Sequence, residues 1–578
     1  MRLPRAQTRD VVVERDLPAT MDDGVVLLAD RYVARAEAEK DGNSPPSLPT
    51  VLVRTPYGRH GFFGLIYGRL LAERGFQVVV QSVRGTFGSG GDFKPFDERA
   101  DGLATLGWLK AQPWCEGPIG MIGSSYMGLT QWAVASEADG SIGALAPSIT
   151  ASQFHGQAYG GGSLSLDTAL SWTLIIAAQE RRLAPLPLIF GLRRKLPKAV
   201  DALPLNELDA LVAGKPVPFF REWFEVPGAD DPYWARRDFS ADVAGVTAPV
   251  QLVGGWHDIF LPWLVEDYIA LRRAGRTTQL VIGPWAHTST PLLGQSTREG
   301  IAWLRAYLLD DRRLLDEAPV RIWVGGEERW RSLPDWPPPA QPWRLRLHAG
   351  GVLAPEGGAK ADTATSGAPS PGRSGAESER DTRLPGGLVA GTAASARDDV
   401  PSRFTYDPTR PTPALGGPVL LAREPVVDNR PLEMRDDVLT FTTAPLEHDV
   451  DAIGPVQADV HVRTSRPDAD VFIRVCDVHP DGRSLNVCDA LIRLTAEQPP
   501  QAQDGSRHVA FSLWPTAHRF VAGHRVRVLI AGGAHPRYAR NAGTGEPPQT
   551  ATKLVAVEHE LLHDDAHRAI VELSVLDS

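Results

Sequence analysis

The stretch IGMIGSSYMG, residues 119–128, constrains the fold more than any other part of the chain. Pro118 to Ile122 is a short apolar run bounded by turn formers, and Tyr126 to Ala135 (YMGLTQWAVA) reads as the start of a helix. Ser125 therefore falls on a strand-to-helix turn, the geometry of a nucleophile elbow, which lifts a hydroxyl clear of the sheet. The spacing departs from the usual G-x-S-x-G: Met127 occupies the place of the second glycine and Gly128 follows one residue late.

Two downstream segments support the elbow. The apolar run PVQLVGG ends at Gly254-Gly255 and is followed by Trp256-His257-Asp258; a second, TQLVIG, ends at Gly283 and is followed by Pro284-Trp285-Ala286-His287. Each places a polar residue just past the C-terminal end of a strand, the edge at which open parallel sheets build their sites. The order Ser125, Asp258, His287 is that of α/β-hydrolases and not that of chymotrypsin or subtilisin. Serine is a weak nucleophile at its own pKa, so His287 is expected to take its proton while Asp258 fixes the imidazole tautomer and stabilises the imidazolium. Oxyanion donors are expected from the backbone N–H of Tyr126, the residue after the nucleophile, and from Tyr57. The latter follows Pro56, which cannot sit inside a central strand and so marks the end of VLVRT. A histidine base must be neutral, and imidazole's reference pKa of about 6.5 predicts that kcat/KM falls below roughly pH 6 to 7. A profile flat down to about pH 4.5 excludes a histidine base.

The segments VRTPYG, VVVQSVRGTFGSGGDF, GWLKAQPWCEGPIGMIGSSYMGLTQW, DDPYWARRDF, GGWHDIF, VIGPWAHT, RDDVLTFTTAPL and FVAGHRVRVLIAG span nearly the whole chain. In this order they resemble the CocE/NonD hydrolases, a family that includes cocaine esterase, α-amino acid ester hydrolases and X-prolyl dipeptidyl peptidases. The family's G-x-S-Y-x-G elbow accounts for the late glycine. The resemblance implies Ser125 as nucleophile, Asp258 as acid, His287 as base and Tyr57 as oxyanion donor; Trp172 and Phe260 resemble aromatic walls of the acyl pocket in cocaine esterase. One departure is Ser82, where relatives usually carry aspartate in Q-D-x-R-G, which leaves the surroundings of Arg84 open.

At 578 residues, a prior of roughly 150 per domain suggests three or four domains. An α/β pattern occupies residues 1–148, opening on a hairpin around Asp22-Asp23-Gly24, and resumes over 241–340. Residues 149–240 turn helical: Leu166, Ala169, Leu170, Thr173, Leu174 and Ala177 recur on one face of an amphipathic helix, as expected of a cap over a pocket. From 341 to 578 the period becomes two. Val456, Ala458, Val460 and Val462 alternate with polar residues, as do Val526, Val528 and Ile530 with Arg525 and Arg527. Such strands indicate a β-sandwich, and the resemblance implies a jelly roll. The Gly/Ser/Ala/Pro-rich segment 357–387 has almost no large apolar residues and is expected to be a disordered insertion.

The net charge of -10 argues against a nucleic-acid partner. No apolar stretch approaches the roughly 20 residues needed to span a membrane, and MRLPRAQTRDVVVERD has no apolar signal region, so a cytoplasmic location is expected. Three cysteines make no disulfide framework. Cys476 and Cys488 flank HPDGRS symmetrically about Gly482, so a simple hairpin sets them directly opposite, and as free thiols in a reducing compartment. His559-Glu560-Leu561-Leu562-His563 spells the H-E-x-x-H of zinc peptidases. That motif needs a helix, whereas ATKLVAVEHE reads as a strand, on which residues four apart lie roughly 13 Å apart, too far to share one zinc. RGTFGSGG lacks the Gly-Lys-Ser/Thr ending of a phosphate loop. The expectation is thus an α/β-hydrolase with a helical cap and a C-terminal jelly roll, cleaving small-molecule carboxylic esters, with activated amides left open. It uses no cofactor and no metal; a homodimer is left open. The alternatives are a dipeptidyl peptidase or amino acid ester hydrolase of the same family and, from other classes, the zinc peptidase or a non-catalytic binding protein.

Overall fold

The computed structural model describes residues 3–39, 48–138, 140–180, 191–356, 398–422 and 424–577. The expected disordered insertion, 357–387, lies outside the described residues.

The first sheet has ten strands: β1 (Val11–Thr20), β2 (Val26–Ala34), β3 (Thr50–Thr55), β4 (Gln77–Ser82), β5 (Ile119–Ser124), β6 (Ile142–Ser148), β7 (Val250–His257), β8 (Thr278–Ala286), β9 (Val320–Val324) and β10 (Arg329–Leu333). Their order across the sheet is β1-β2-β4-β3-β5-β6-β7-β8-β9-β10. The strands from β4 to β9 in that order pair in parallel, while β1, β2 and β10 add antiparallel edges. The hairpin joining β1 to β2 turns at Asp22-Asp23-Gly24, where Gly24 takes a positive φ of 82°. All six residues of β5 are buried, as a central parallel strand covered by helices on both faces requires. After β3 the chain moves to β4 on one side and then to β5 on the other, so β3 and β5 form a switch point at whose C-terminal edge a crevice opens.

Between β6 and β7 the chain is helical. The helix Leu166–Ala178 differs from the expected one-faced pattern: Thr168, Ser171 and Trp172 are buried as well, and Ala177 is only partly so. Its second face packs into an aromatic cluster with Phe219 and Trp223 of the helix Pro218–Glu225, which starts with a proline where the missing N–H costs nothing.

From Gln341 onward the described chain forms a second, almost wholly antiparallel sheet system, the jelly roll, with its own apolar core. In the strand Val450–Thr464, Val456, Ala458, Val460 and Val462 are buried and their neighbours face outward, as the period of two predicts. H-E-x-x-H is not helical. His559 lies in the strand Val557–Leu561 with its ring stacked on Phe404, while His563 contacts Ser402 Oγ at 2.8 Å and the Leu347 carbonyl at 3.1 Å. The two imidazoles have separate partners.

The cysteine pairing needs correction. A β-bulge between Val475 and Cys476 shifts the hairpin register, so Cys488 stands opposite Val475 and Cys476 opposite Asn486. Cys115, Cys476 and Cys488 are buried free thiols, and burial pushes Cys476 up to about 12. Cys476 and Cys488 are expected to react with a thiol reagent on unfolding without prior reduction; an intact mass lower by two hydrogens contradicts this.

Candidate active site

The site is assembled from residues immediately past strand ends. β7 and β8 run further than their apolar cores suggested, to His257 and Ala286, and these two residues are register partners. Asp258 and His287, the next residues of each strand, therefore stand side by side. His287 Nδ1 is 2.6 Å from Asp258 Oδ2, and His287 Nε2 is 3.1 Å from Ser125 Oγ. The other carboxylate oxygen of Asp258 accepts from the backbone N–H of Phe260 at 2.9 Å, so the fully buried acid is held from both sides. With Nδ1–H facing the carboxylate, Nε2 is left as the acceptor for the serine proton.

Ser125 has φ 59° and ψ -126°, a strained conformation for a side-chain-bearing residue, fixed by its N–H donating to the Ser148 carbonyl at 2.9 Å. The two glycines make room for the turn. A Cβ on Gly123 would lie 2.4 Å from the Met127 Cβ, and one on Gly128 would lie 2.4 Å from Thr150 Cγ2. The late glycine thus answers to the residue two past β6. Tyr126 is the first residue of the helix Tyr126–Ala135, where the N–H has no partner within the helix and is available to an anion. Its phenol is engaged elsewhere, donating to Glu98 Oε1 at 2.6 Å; Glu98 in turn pairs with the buried Arg54.

Tyr57 stands two residues past β3 with its hydroxyl toward Ser125. Trp172 Nε1–H donates to the Tyr57 oxygen at 3.1 Å, which leaves the phenol proton free to point elsewhere. Desolvation pushes that phenol up to about 12, with the hydrogen bonds to Trp172 and Ser125 pulling the other way, so it remains a donor at any working pH. Trp172 and Phe260 both line the cavity above Ser125. Sequence reasoning missed Phe96, Phe154, Trp223 and Thr150, which also line it, and Leu420, which reaches in from the C-terminal domain. The buried Thr150 hydroxyl has no hydrogen-bond partner among the described residues. No Asp, Glu, Lys, Arg or His lines this cavity among the described residues. At the Ser82 departure, Ser82 Oγ accepts from Arg59 at 3.2 Å, and Asp30 and Asp16 balance that arginine; Arg84 is held by Asp101 at 2.6 Å and Asp23 at 2.8 Å.

Known proteins share this arrangement of chain. The family profile for X-Pro dipeptidyl-peptidase (S15 family) matches residues 23–289, and that for the X-Pro dipeptidyl-peptidase C-terminal non-catalytic domain matches residues 314–571. The cocaine esterase of Rhodococcus sp. (strain MB1 Bresler) is 30% identical over 571 residues, covering 92% of this chain and 93% of the relative. The chain belongs to the S15 family of serine hydrolases. Two solved structures share its fold over the whole length. An α-amino acid ester hydrolase gives a TM-score of 0.74 at 22% identity, covering 100% of this chain and 98% of that one. An aminopeptidase from a marine sediment Thaumarchaeota archaeon gives 0.73 at 20%, with the same coverage. This S15 hydrolase has no helix, among the described residues, long and apolar enough to cross a membrane.

Proposed function

We propose that this S15 hydrolase cleaves small carboxylic esters with uncharged acyl groups through an acyl-enzyme on Ser125. His287 takes the serine proton and later returns one to the leaving alcohol; Asp258 orients the imidazole. The Tyr57 hydroxyl and the Tyr126 N–H receive the oxyanion, and Trp172 and Phe260 flank the acyl group. The observation that carries this reading is the unbroken chain Asp258–His287–Ser125 opening into a cavity lined mostly by aromatic and aliphatic side chains, with Thr150, Gln157, Ser165 and Thr168 as uncharged polar walls and no charged group among the described residues. An ester also fits the name of the cocaine esterase relative.

The supporting division of labour is a hydrolase domain over 1–148 and 241–340, a cap over 149–240 and a jelly roll over 341–578, with Leu420 closing the cavity from the last of these. The free buried cysteines fit a reducing, cytoplasmic setting. The deciding experiment is a panel of p-nitrophenyl esters and aminoacyl p-nitroanilides with wild type and Ser125→Ala. Ester turnover that vanishes in the variant supports the reading, and turnover confined to prolyl anilides replaces it with the dipeptidyl peptidase. Tyr57→Phe is expected to lower kcat by about 10²- to 10³-fold with KM little changed, because the donor acts on charge that develops only in the transition state. A change confined to KM removes Tyr57 from the oxyanion site.

A further inference from the structure

Away from the cavity, four side chains converge where two turns of the jelly roll meet. Asp477 is the penultimate residue of the strand Ala469–Val478, and His479 follows just past its end, two residues on and so on the same face. His524 closes the turn between the strands Arg507–Phe520 and Arg525–Ala531, and His518 lies on the first of these. All three imidazoles face one carboxylate. His524 Nδ1 is 2.8 Å from Asp477 Oδ1; His518 Nε2 and His479 Nε2 are 3.0 Å and 3.8 Å from Asp477 Oδ2. The His479 and His524 rings lie 4.3 Å apart, and one ligand atom from each of Asp477, His479 and His524 lies within 4.8 Å of the other two.

Within the jelly roll the counter-charge sets this carboxylate apart. Asp477 has a side chain only 2% exposed, and a carboxylate buried in its ionised form needs a positive partner. The buried Asp489 has Arg474 and Arg537, and Asp470 has Arg493. The ion-pair partners of Asp477 among the described residues are imidazoles alone, and the guanidinium in the adjacent turn, Arg483, is taken by Asp481.

We propose that Asp477, His479 and His524 bind a divalent first-row transition-metal ion, with Zn²⁺ the best match to two imidazoles and a carboxylate. Zn²⁺ takes nitrogen and carboxylate oxygen at about 2.0–2.2 Å in a tetrahedron, so its ligand atoms stand roughly 3.3 Å apart. A small rotation of His479, which sits in a turn, closes the remaining gap. Water fills the fourth position. His518 keeps its hydrogen bond to Asp477 Oδ2 and orients the carboxylate from outside the ligand set. The ion pins the turn after Val478 to the turn before Arg525, so it stabilises the jelly roll and takes no part in ester hydrolysis.

Tag-free full-length protein, stripped with EDTA and dialysed, is titrated calorimetrically with ZnCl₂ at about pH 7.5, where the imidazoles are free to ligate. One ion per chain is expected. His479→Ala and His524→Ala should each weaken binding by about 10-fold or more and abolish it together; His518→Ala should weaken it by about 10-fold. Replacing the exposed His448 should leave it unchanged. Ester turnover equal to wild type certifies that each variant is folded and keeps this test separate from that of the serine mechanism. Uptake well below one ion per chain, or unchanged affinity in the His479→Ala/His524→Ala double variant, overturns the site. If His524→Ala fails to fold, unchanged affinity in His479→Ala alone does so.

Discussion

Ser125→Ala is expected to lose on the order of 10⁴-fold or more in kcat, and fluorophosphonate labelling with it. The size follows from the three residues acting as a unit. Without the Ser125 oxygen there is no atom to form the acyl bond, and His287, whose Nε2 lies 3.1 Å from that oxygen, has no proton to take. What remains is the general stabilisation of an oxyanion by Tyr57 and the helix N-terminus, with water as a poorly placed nucleophile. KM should change little, because the apolar walls of the cavity are untouched. Retained labelling of the variant dismisses the nucleophile assignment. EDTA is expected to leave wild-type turnover intact, and a chelator-sensitive rate in protein that stays folded would move the chemistry to a metal.

For wild-type enzyme, esters with uncharged acyl groups are expected to exceed matched esters bearing a free α-ammonium by about 30-fold to several thousand-fold in kcat/KM. In the α-amino acid ester hydrolases an Asp-x-Glu-Asp run supplies the catalytic acid and part of an anionic site for the substrate amine. Here the corresponding run is Asp258-Ile259-Phe260-Leu261, in which the two positions that would be anionic are apolar and buried. Ile259 and Phe260 line the cavity, so an ammonium placed there trades water for hydrocarbon and an aromatic face. A substrate amine can escape the cost by losing its proton. The penalty should therefore shrink as the pH rises past the amine's own pKa. Phenylacetate methyl ester against phenylglycine methyl ester is the direct comparison. A preference for the latter by more than about 10-fold places a carboxylate within reach of the amine and overturns the assignment of the pocket.

The fold and the placement of Ser125, Asp258 and His287 just past strand ends were legible in the chain because both depend on local, periodic signals. The apolar runs before Ser125, Asp258 and His287 mark strand ends, and adjacent parallel strands bring their C-terminal residues together whatever fills the loops. That is why a sequence separation of 29 residues between Asp258 and His287 collapses to a 2.6 Å contact. The family pattern likewise made Tyr57, Trp172 and Phe260 visible. The apolar face read in Leu166–Ala178 is buried at Leu166, Ala169, Leu170, Thr173 and Leu174, but periodicity left open that Phe219 and Trp223 also cover the helix at Trp172. Cys476 and Cys488 missed each other because a bulge, which inserts one residue into one strand, leaves no mark in a symmetric spacing.

The sequence by itself determined the order of strands and helices, the turn at Ser125 and the strand-end positions of Asp258 and His287. Only the tertiary structure decided what surrounds them. Phe96, Leu420 and the pair Thr150 and Phe154 come from three separate loops or turns, and Leu420 belongs to the jelly roll. The gathering of His479, His518 and His524 around Asp477 is of the same kind. Periodicity says which face of an element is buried, but which residues meet across turns is fixed by how whole sheets pack, and that is a property of no single segment.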